Sequence, residues 1–355
     1  MPSSFSRRAF LSGIGGASLL AASTAVLSAC SSGTSAAPTT AAAGGGAASG
    51  PVNFQLGWIA NVENMGLFVA DDRGYFKDEG LDVTLTPGGP SVVVEPLIVS
   101  GKALVGLDSV DTIAKARNEG AALKIIAATM QTNPTAIMSL ADKPVNTLQD
   151  LVGKKLGMQQ SGAEIVNTVL KANGIDPADI TMVPVQFDPS PLVAGECDAF
   201  VSLLVNQPIQ LDLQGVKTTT FTLSEYGYNV WADCLLTSDQ ALADKDKREQ
   251  IVKIVRASVR GWQDALADTD AAAKLVVEKY GKSLNLDLAA QQKTAAAFRS
   301  VIETGDAKTN GLLTMSADGI AANIATINSL GVKGTAEELF DATVLKDAYA
   351  GKTHI

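Results

Sequence analysis

The sequence predicts an α/β protein of two lobes. Segments with period-two apolar alternation take turns with segments of helical apolar spacing from Val52 onward, and a second block of the same kind follows beyond residue 140. The body is roughly three hundred residues long, near the size at which one hydrophobic core stops growing and a chain divides. The expected layout is a first lobe at 51–140, a second at 141–234, and a mostly helical return to the first at 235–355.

Each element has its own signal. Val52, Phe54, Leu56 and Trp58 alternate with polar or small residues, the pattern of a strand with one buried face. Asn64 to Phe76 has helical spacing, with Gly74 where a helix should stop. Leu81, Val83 and Leu85 form a second strand, and a helix over Pro90 to Ser100 closes at Gly101. A strand at Ala103 to Leu107, a helix at Ser109 to Glu119 and a strand at Lys124 to Thr129 continue the alternation, which implies a mostly parallel sheet. The second block places strands at Lys155 to Met158, Thr181 to Gln186 and Asp198 to Leu203, with a helix at Gly162 to Asn173. Later, Ile251, Ile254, Val255, Val259, Trp262 and Leu266 make the apolar stripe of an amphipathic helix. There is no internal repeat.

The chain opens on an address. Paired arginines, Arg7 and Arg8, precede an apolar run to about Leu27, which is too short and too rich in Gly, Ser and Ala for a membrane span. Leu27-Ser28-Ala29-Cys30 looks like a bacterial lipobox, so residues 1–29 are expected to be a twin-arginine lipoprotein signal and Cys30 the lipidated first mature residue. Residues 30–50 are almost wholly Ser, Gly, Thr, Ala and Pro, a composition that buries too little apolar surface to fold and suits a tether. The expected location is the outer face of the bacterial cell membrane.

Charge and scarce residue types exclude several functions. Of 28 Lys and Arg residues, Arg7 and Arg8 fall in the leader; the rest face 37 Asp and Glu, a net of −11 beyond it, which argues against a nucleic-acid partner. Besides Cys30 there are only Cys197 and Cys234, whose pairing is left open, and the single histidine is His354. No soft metal site, catalytic Ser-His-Asp set or phosphate-binding glycine loop can be assembled, so no cofactor, no metal and no enzymatic activity are expected.

In open parallel sheets a ligand sits beyond the carboxyl ends of the strands. Those ends carry Trp58 and Asn61, Asp108 and Ser109, Gln131, then Gln159-Gln160-Ser161, Phe187-Asp188 and Asn206-Gln207. Aromatics, amides and hydroxyls without Lys or Arg suit a flat, polar, largely uncharged ligand. Ser161-Gly162-Ala163-Glu164 has the form of a capping box, which would also leave backbone amides free for a ligand acceptor.

Longer runs carry a family resemblance. Asn53-Phe54-Gln55-Leu56-Gly57-Trp58, Gly66-Leu67-Phe68-Val69-Ala70, Gly74 to Val83, the Pro87-Gly88-Gly89-Pro90 turn, Val185 to Pro189 and Gly195 to Ala199 are similar to the thiamine-pyrimidine-precursor-binding proteins of ABC importers. The likeness runs from about Val52 to Leu266, and its Gly74 to Val83 part is shared with sulfonate, taurine and nitrate binders. It implies a periplasmic-binding-protein fold of the second type, two α/β lobes closing on a small molecule, with a permease and an ATPase as partners and a monomeric state. It places the site at Trp58, Asn61, Ser161 to Glu164, Phe187, Asn206, Gln207 and the segment with Tyr226, Asn229 and Trp231. Gln207 departs from the glutamate that pyrimidine binders of this family resemble one another in having, and would favour a ring edge offering both a carbonyl and an N–H. The resulting expectation is a small flat heteroaromatic ligand, the thiamine pyrimidine precursor or a related pyrimidine, purine or flavin-like ring, with a sulfonate, nitrate or aromatic acid as the alternative. A pyrimidine-synthesising enzyme fits less well, since the yeast relative needs a histidine and a cysteine cluster where this chain has Tyr228 to Ala232; so does a sensor lipoprotein.

Overall fold

The computed structural model describes residues 51–352. The arginine pair, Leu27 to Cys30, the linker at 30–50 and His354 lie outside the described residues. Within them the ten strands are β1 Val52–Gln55, β2 Val83–Thr86, β3 Val105–Asp108, β4 Leu123–Met130, β5 Thr135–Leu140, β6 Lys155–Met158, β7 Thr181–Pro184, β8 Ala199–Leu203, β9 Thr218–Thr222 and β10 Ala232–Ser238. They form two five-stranded sheets, ordered β2-β1-β3-β10-β4 and β7-β6-β8-β5-β9.

Both sheets are mixed. β1 runs parallel to β2 and β3, while β10 is antiparallel to β3 and β4. In the second sheet β6 is parallel to β7 and β8, and β5 is antiparallel to β8 and β9. The chain leaves the first sheet after β4 and returns to it as β10. The exchange points therefore fall near 131–134 and 223–231, which moves β5 into the second lobe and β10 into the first relative to the divisions at 140 and 234. Neither β5 nor β10 shows period-two alternation, because their middle residues are buried on both faces: Ala136, Ile137 and Met138 in one, Cys234, Leu235 and Leu236 in the other.

The long helix Lys245–Ala267 has the predicted stripe, and all six of its named residues are buried. It lies against helix α1, Met65–Asp72, at very short range. A Cβ added to Gly66 would stand 2.1 Å from Cδ2 of Trp262, and one on Gly261 would stand 2.2 Å from the Gly66 carbonyl oxygen. Only glycine permits this crossing, and the crossing fixes the turn that leads into α1. A core of Phe54, Phe68, Trp262 and Phe298 fills this part of the molecule, and a second cluster runs from Ile98 and Ile113 to Leu156 and Val169. Cys197 and Cys234 are both buried free thiols. No helix among the described residues is long and apolar enough to cross a membrane.

Candidate functional site

The parallel strands of both sheets end at a common cleft. Its first alcove, about 140 Å³, is walled by Trp58, Glu63, Gln159, Ser161, Gly162, Ile165, Val166, Thr135, Val201 to Leu203 and Gln207. A second, about 170 Å³, adjoins it and reaches Gly57, Val92, Leu107 to Ser109, Met130, Ala232 and Asp233. Trp58, Glu63, Ser161, Gly162, Ile165 and Leu203 belong to both. An apolar cavity of about 150 Å³ suffices for a benzene ring, so each alcove has about the volume of a single ring.

Local structure explains why these side chains meet. After β1 the chain turns at Gly57, and the Gly88 N–H donates to the Trp58 carbonyl at 2.8 Å. A Cβ on Gly88 would come within 2.4 Å of the Leu56 carbonyl oxygen, so the Pro87 to Pro90 turn packs on the strand end only because residue 88 is glycine. The same turn reaches the second lobe: the Ser161 N–H donates to the Pro90 carbonyl at 3.0 Å. Beside it, Lys115 of the helix Val110–Asn118 donates to Thr168 Oγ1 at 2.8 Å and pairs with Glu164 at 3.3 Å on the helix Ala163–Ala172. These bonds tie the lobes together along one flank of the cleft.

Of the expected residues, the structure gathers Trp58, Asp108, Ser109, Ser161, Gly162 and Gln207 at the cleft. Asn61 is buried one step away, and its Oδ1 accepts the Glu63 N–H at 3.0 Å, capping the short turn Val62–Asn64. Gln207 reaches the wall, but its Oε1 accepts the Leu203 N–H at 2.9 Å and its Nε2 donates to the Phe187 carbonyl at 3.4 Å. Its amide holds the end of β8 and leaves little to read a ligand edge. Phe187 contributes that carbonyl, and Asn206 is buried at the start of the helix Gln207–Leu213 without a side-chain cap bond.

The capping box does not form. A 3-10 turn at Gln160–Gly162 delays the helix to Ala163, which puts Glu164 in its first turn with the side chain turned out to Lys115. Ala163 is absent from the walls of both alcoves. Gln131, Asn229 and Trp231 line a different depression with Asn133, Asp306 and Asn323. Trp231 is buried there, edge-on to Phe340, and Gln131 donates to the Ala128 and Thr314 carbonyls. Tyr226 packs edge-on to Phe221, and its hydroxyl accepts the Leu148 N–H at 3.3 Å.

Two acidic residues at the cleft had no place among the expected ones. Glu63 is only 7% exposed, lines both alcoves, and its Oε2 has no hydrogen-bond partner among the described residues. Asp233 lines the second alcove with an equally unpartnered Oδ2, on a backbone in the left-handed region at φ 48°. Burial, reinforced by Asp233, holds the Glu63 carboxyl well above the usual range; burial pushes Asp233 up to about 7. Asp108 is raised as well, by burial and then by Glu95 beside it. A glutamate just past a strand end was within reach of sequence reasoning. Asp233 was not, because β10 was unseen, and an antiparallel strand brings its first residues to the edge where its parallel neighbours end.

Comparison with known proteins places this geometry. The family described as NMT1/THI5 like matches residues 61–272. The chain belongs to the NMT1/THI5-like family. Relatives of this family member include the riboflavin-binding protein RibY of Chloroflexus aurantiacus, 27% identical over 249 residues, covering 68% of this chain and 70% of that one. The formylaminopyrimidine-binding protein of Halalkalibacterium halodurans is 26% identical, covering 64% and 69%. A 4-amino-5-hydroxymethyl-2-methylpyrimidine phosphate synthase of Saccharomyces cerevisiae, THI13, is also 26% identical, covering 68% and 74%. Among solved structures, the alkanesulfonate-binding protein SsuA of Xanthomonas axonopodis pv. citri superposes with a TM-score of 0.54 at 17% identity, covering 81% of this chain and 95% of that one. A Candida albicans protein described as having the generic periplasmic binding protein fold gives 0.57 at 17%, covering 86% and 97%. The two-lobed α/β architecture of this NMT1/THI5-like protein is thus the periplasmic-binding-protein fold.

Proposed function

We propose that this protein is the extracytoplasmic solute-binding component of an ABC importer, anchored by a lipid on Cys30, and that it captures a small flat heteroaromatic compound in the cleft without altering it. The carrying observation is the cleft itself: two ring-sized alcoves at the ends of both sheets, sharing the half-buried Trp58 and walled by Ile165, Val166, Val201 and Leu203. Such walls gain from a flat apolar face, and the indole adds a stacking surface. The names of the relatives, one riboflavin-binding and one formylaminopyrimidine-binding, point the same way.

Two other readings meet specific obstacles. A sulfonate or nitrate would bring negative charge to alcoves lined by Glu63, Asp108 and Asp233 and, among the described residues, by no Lys or Arg. The synthases in the same family keep the enzyme reading in view, but His354 is the only histidine of the chain and no group of three metal-ligating side chains occurs among the described residues. The lipid anchor, the membrane location, the permease and ATPase partners and the monomeric state rest on the leader sequence and on family likeness.

A thermal-shift screen tests the proposal, since a ligand that binds only the folded state raises its melting temperature by mass action. Purified protein is screened against pyrimidines, purines, flavins, sulfonates and aromatic acids. Heterocycles are expected to raise the midpoint, and a response confined to sulfonates would refute the heteroaromatic reading.

A further inference from the structure

The carboxyl groups at the cleft fit poorly with a neutral ligand. Glu63 and Asp233 each bury an oxygen that no group among the described residues bonds, and both oxygens belong to side chains that line the space where a ligand would lie. Buried polar atoms are rarely left unsatisfied, and an unpaired buried carboxylate is costlier still. The other orphan oxygens near the cleft belong to Glu95 and Asp111, so the surroundings offer these two acids more acid and no countercharge. Asp233 also holds a left-handed backbone, which an L residue adopts at a cost. Strain and missing partners at one spot are what a site looks like when its ligand completes it.

Resting on the reading of this cleft as a solute site, we propose that Glu63 and Asp233 form a two-carboxylate clamp for a planar organic cation of the amidinium type, whose two N–H groups donate one to each carboxylate. The chemical logic is complementarity: a flat, delocalised cation with parallel N–H bonds suits carboxylates as a guanidinium does, and its ring lies on Trp58. Such a ligand differs from the oxo-edged rings that Gln207 suggested, and Gln207 is already bonded to backbone.

The clamp has a proton signature. The titratable groups facing it are Asp108 at the end of β3, Glu95 and Asp111 behind it, and Tyr228 and Cys234 beside Asp111 and Asp233; among the described residues no lysine or arginine lines either alcove. Without ligand the pair keeps a proton near neutrality; a bound cation drives it off. Affinity for a permanent cation therefore rises with pH. A neutral acceptor, served by the protonated acids, would show the opposite slope.

The test uses three ligands of one shape and different charge: benzamidine, benzamide and benzoate, titrated calorimetrically into the full chain. The expected result is binding of benzamidine at least about tenfold tighter than of benzamide, with benzoate weakest, and a gain of about tenfold or more from pH 5.5 to 8. Glu63→Gln and Asp233→Asn should each abolish most of that preference while unfolding no earlier than the parent, so a loss cannot be assigned to misfolding. Equal affinities for benzamidine and benzamide, or a preference unchanged in both variants, overturn the clamp. If none of the three binds while a neutral or anionic ring shifts the melting point, the clamp falls and the solute site stands; if nothing shifts it, both fall.

Discussion

Asp233→Asn isolates the energetic consequence of building a cleft from unpaired acids. Burial pushes the Asp233 carboxyl from 3.8 to about 7, so ionising it in the folded state is harder than in the unfolded chain by roughly three pH units. At about 1.4 kcal/mol per unit that is at most about 4 kcal/mol, and water entering the open cleft reduces it to about 2–4 kcal/mol. The folded pKa is raised, so the contribution to stability is fully present below about pH 4 and is lost as pH rises through about 7. Asparagine keeps the shape, never ionises and accepts the left-handed backbone at φ 48° as readily. Thermal unfolding without ligand should therefore show Asp233→Asn melting higher than the parent by about 5 °C at pH 8, with the difference vanishing at about pH 4. A variant less stable at pH 8, or a difference independent of pH, would refute the reasoning.

Other consequences follow from the packing. Gly66→Ala drives a methyl into Trp262, and forcing α1 off the long helix should cost about 1–3 kcal/mol, read as a lower denaturation midpoint, while displacing Glu63 and weakening ligand binding. Lys115→Ala removes the bond to Thr168 and the pair with Glu164 on one flank of the cleft; it should speed ligand dissociation in stopped-flow measurements with little change in melting temperature, since the pair itself is partly exposed. Thiol titration after denaturation without reductant should count Cys197 and Cys234 as free.

The parallel half of each sheet was legible because its strands and helices carry clean periods and glycine stops: β6 was placed to the residue, and the stripe of the helix Lys245–Ala267 is buried as read. β5, β9 and β10 were not, since strands buried on both faces or rich in threonine lack the alternation that marks a half-buried strand. The lining of the candidate cleft was partly legible for a related reason. Trp58, Asp108, Ser109, Ser161, Gly162 and Gln207 follow or begin elements that the periodicity located. Gln131 follows a strand end, and Asn229 and Trp231 come from the family likeness, but the crossing from β4 to β5 and back to β10 carries all three to another depression. Asn61 and Gln207 show a further limit: the amides that make good ligand contacts also make good turn and helix partners, and sequence does not reveal which role is filled.

The claim that a solute lies in the cleft against Trp58 is tested most directly by intrinsic fluorescence. Trp231 and Trp262 are 5% and 2% exposed and away from the alcoves, which leaves Trp58 as the tryptophan of the cleft. Titrating a compound that raises the melting temperature should quench emission to saturation at one ligand per chain, and Trp58→Phe should abolish that response while the emission of Trp231 and Trp262 persists. A compound that stabilises the protein yet leaves Trp58 emission unchanged would contradict the account.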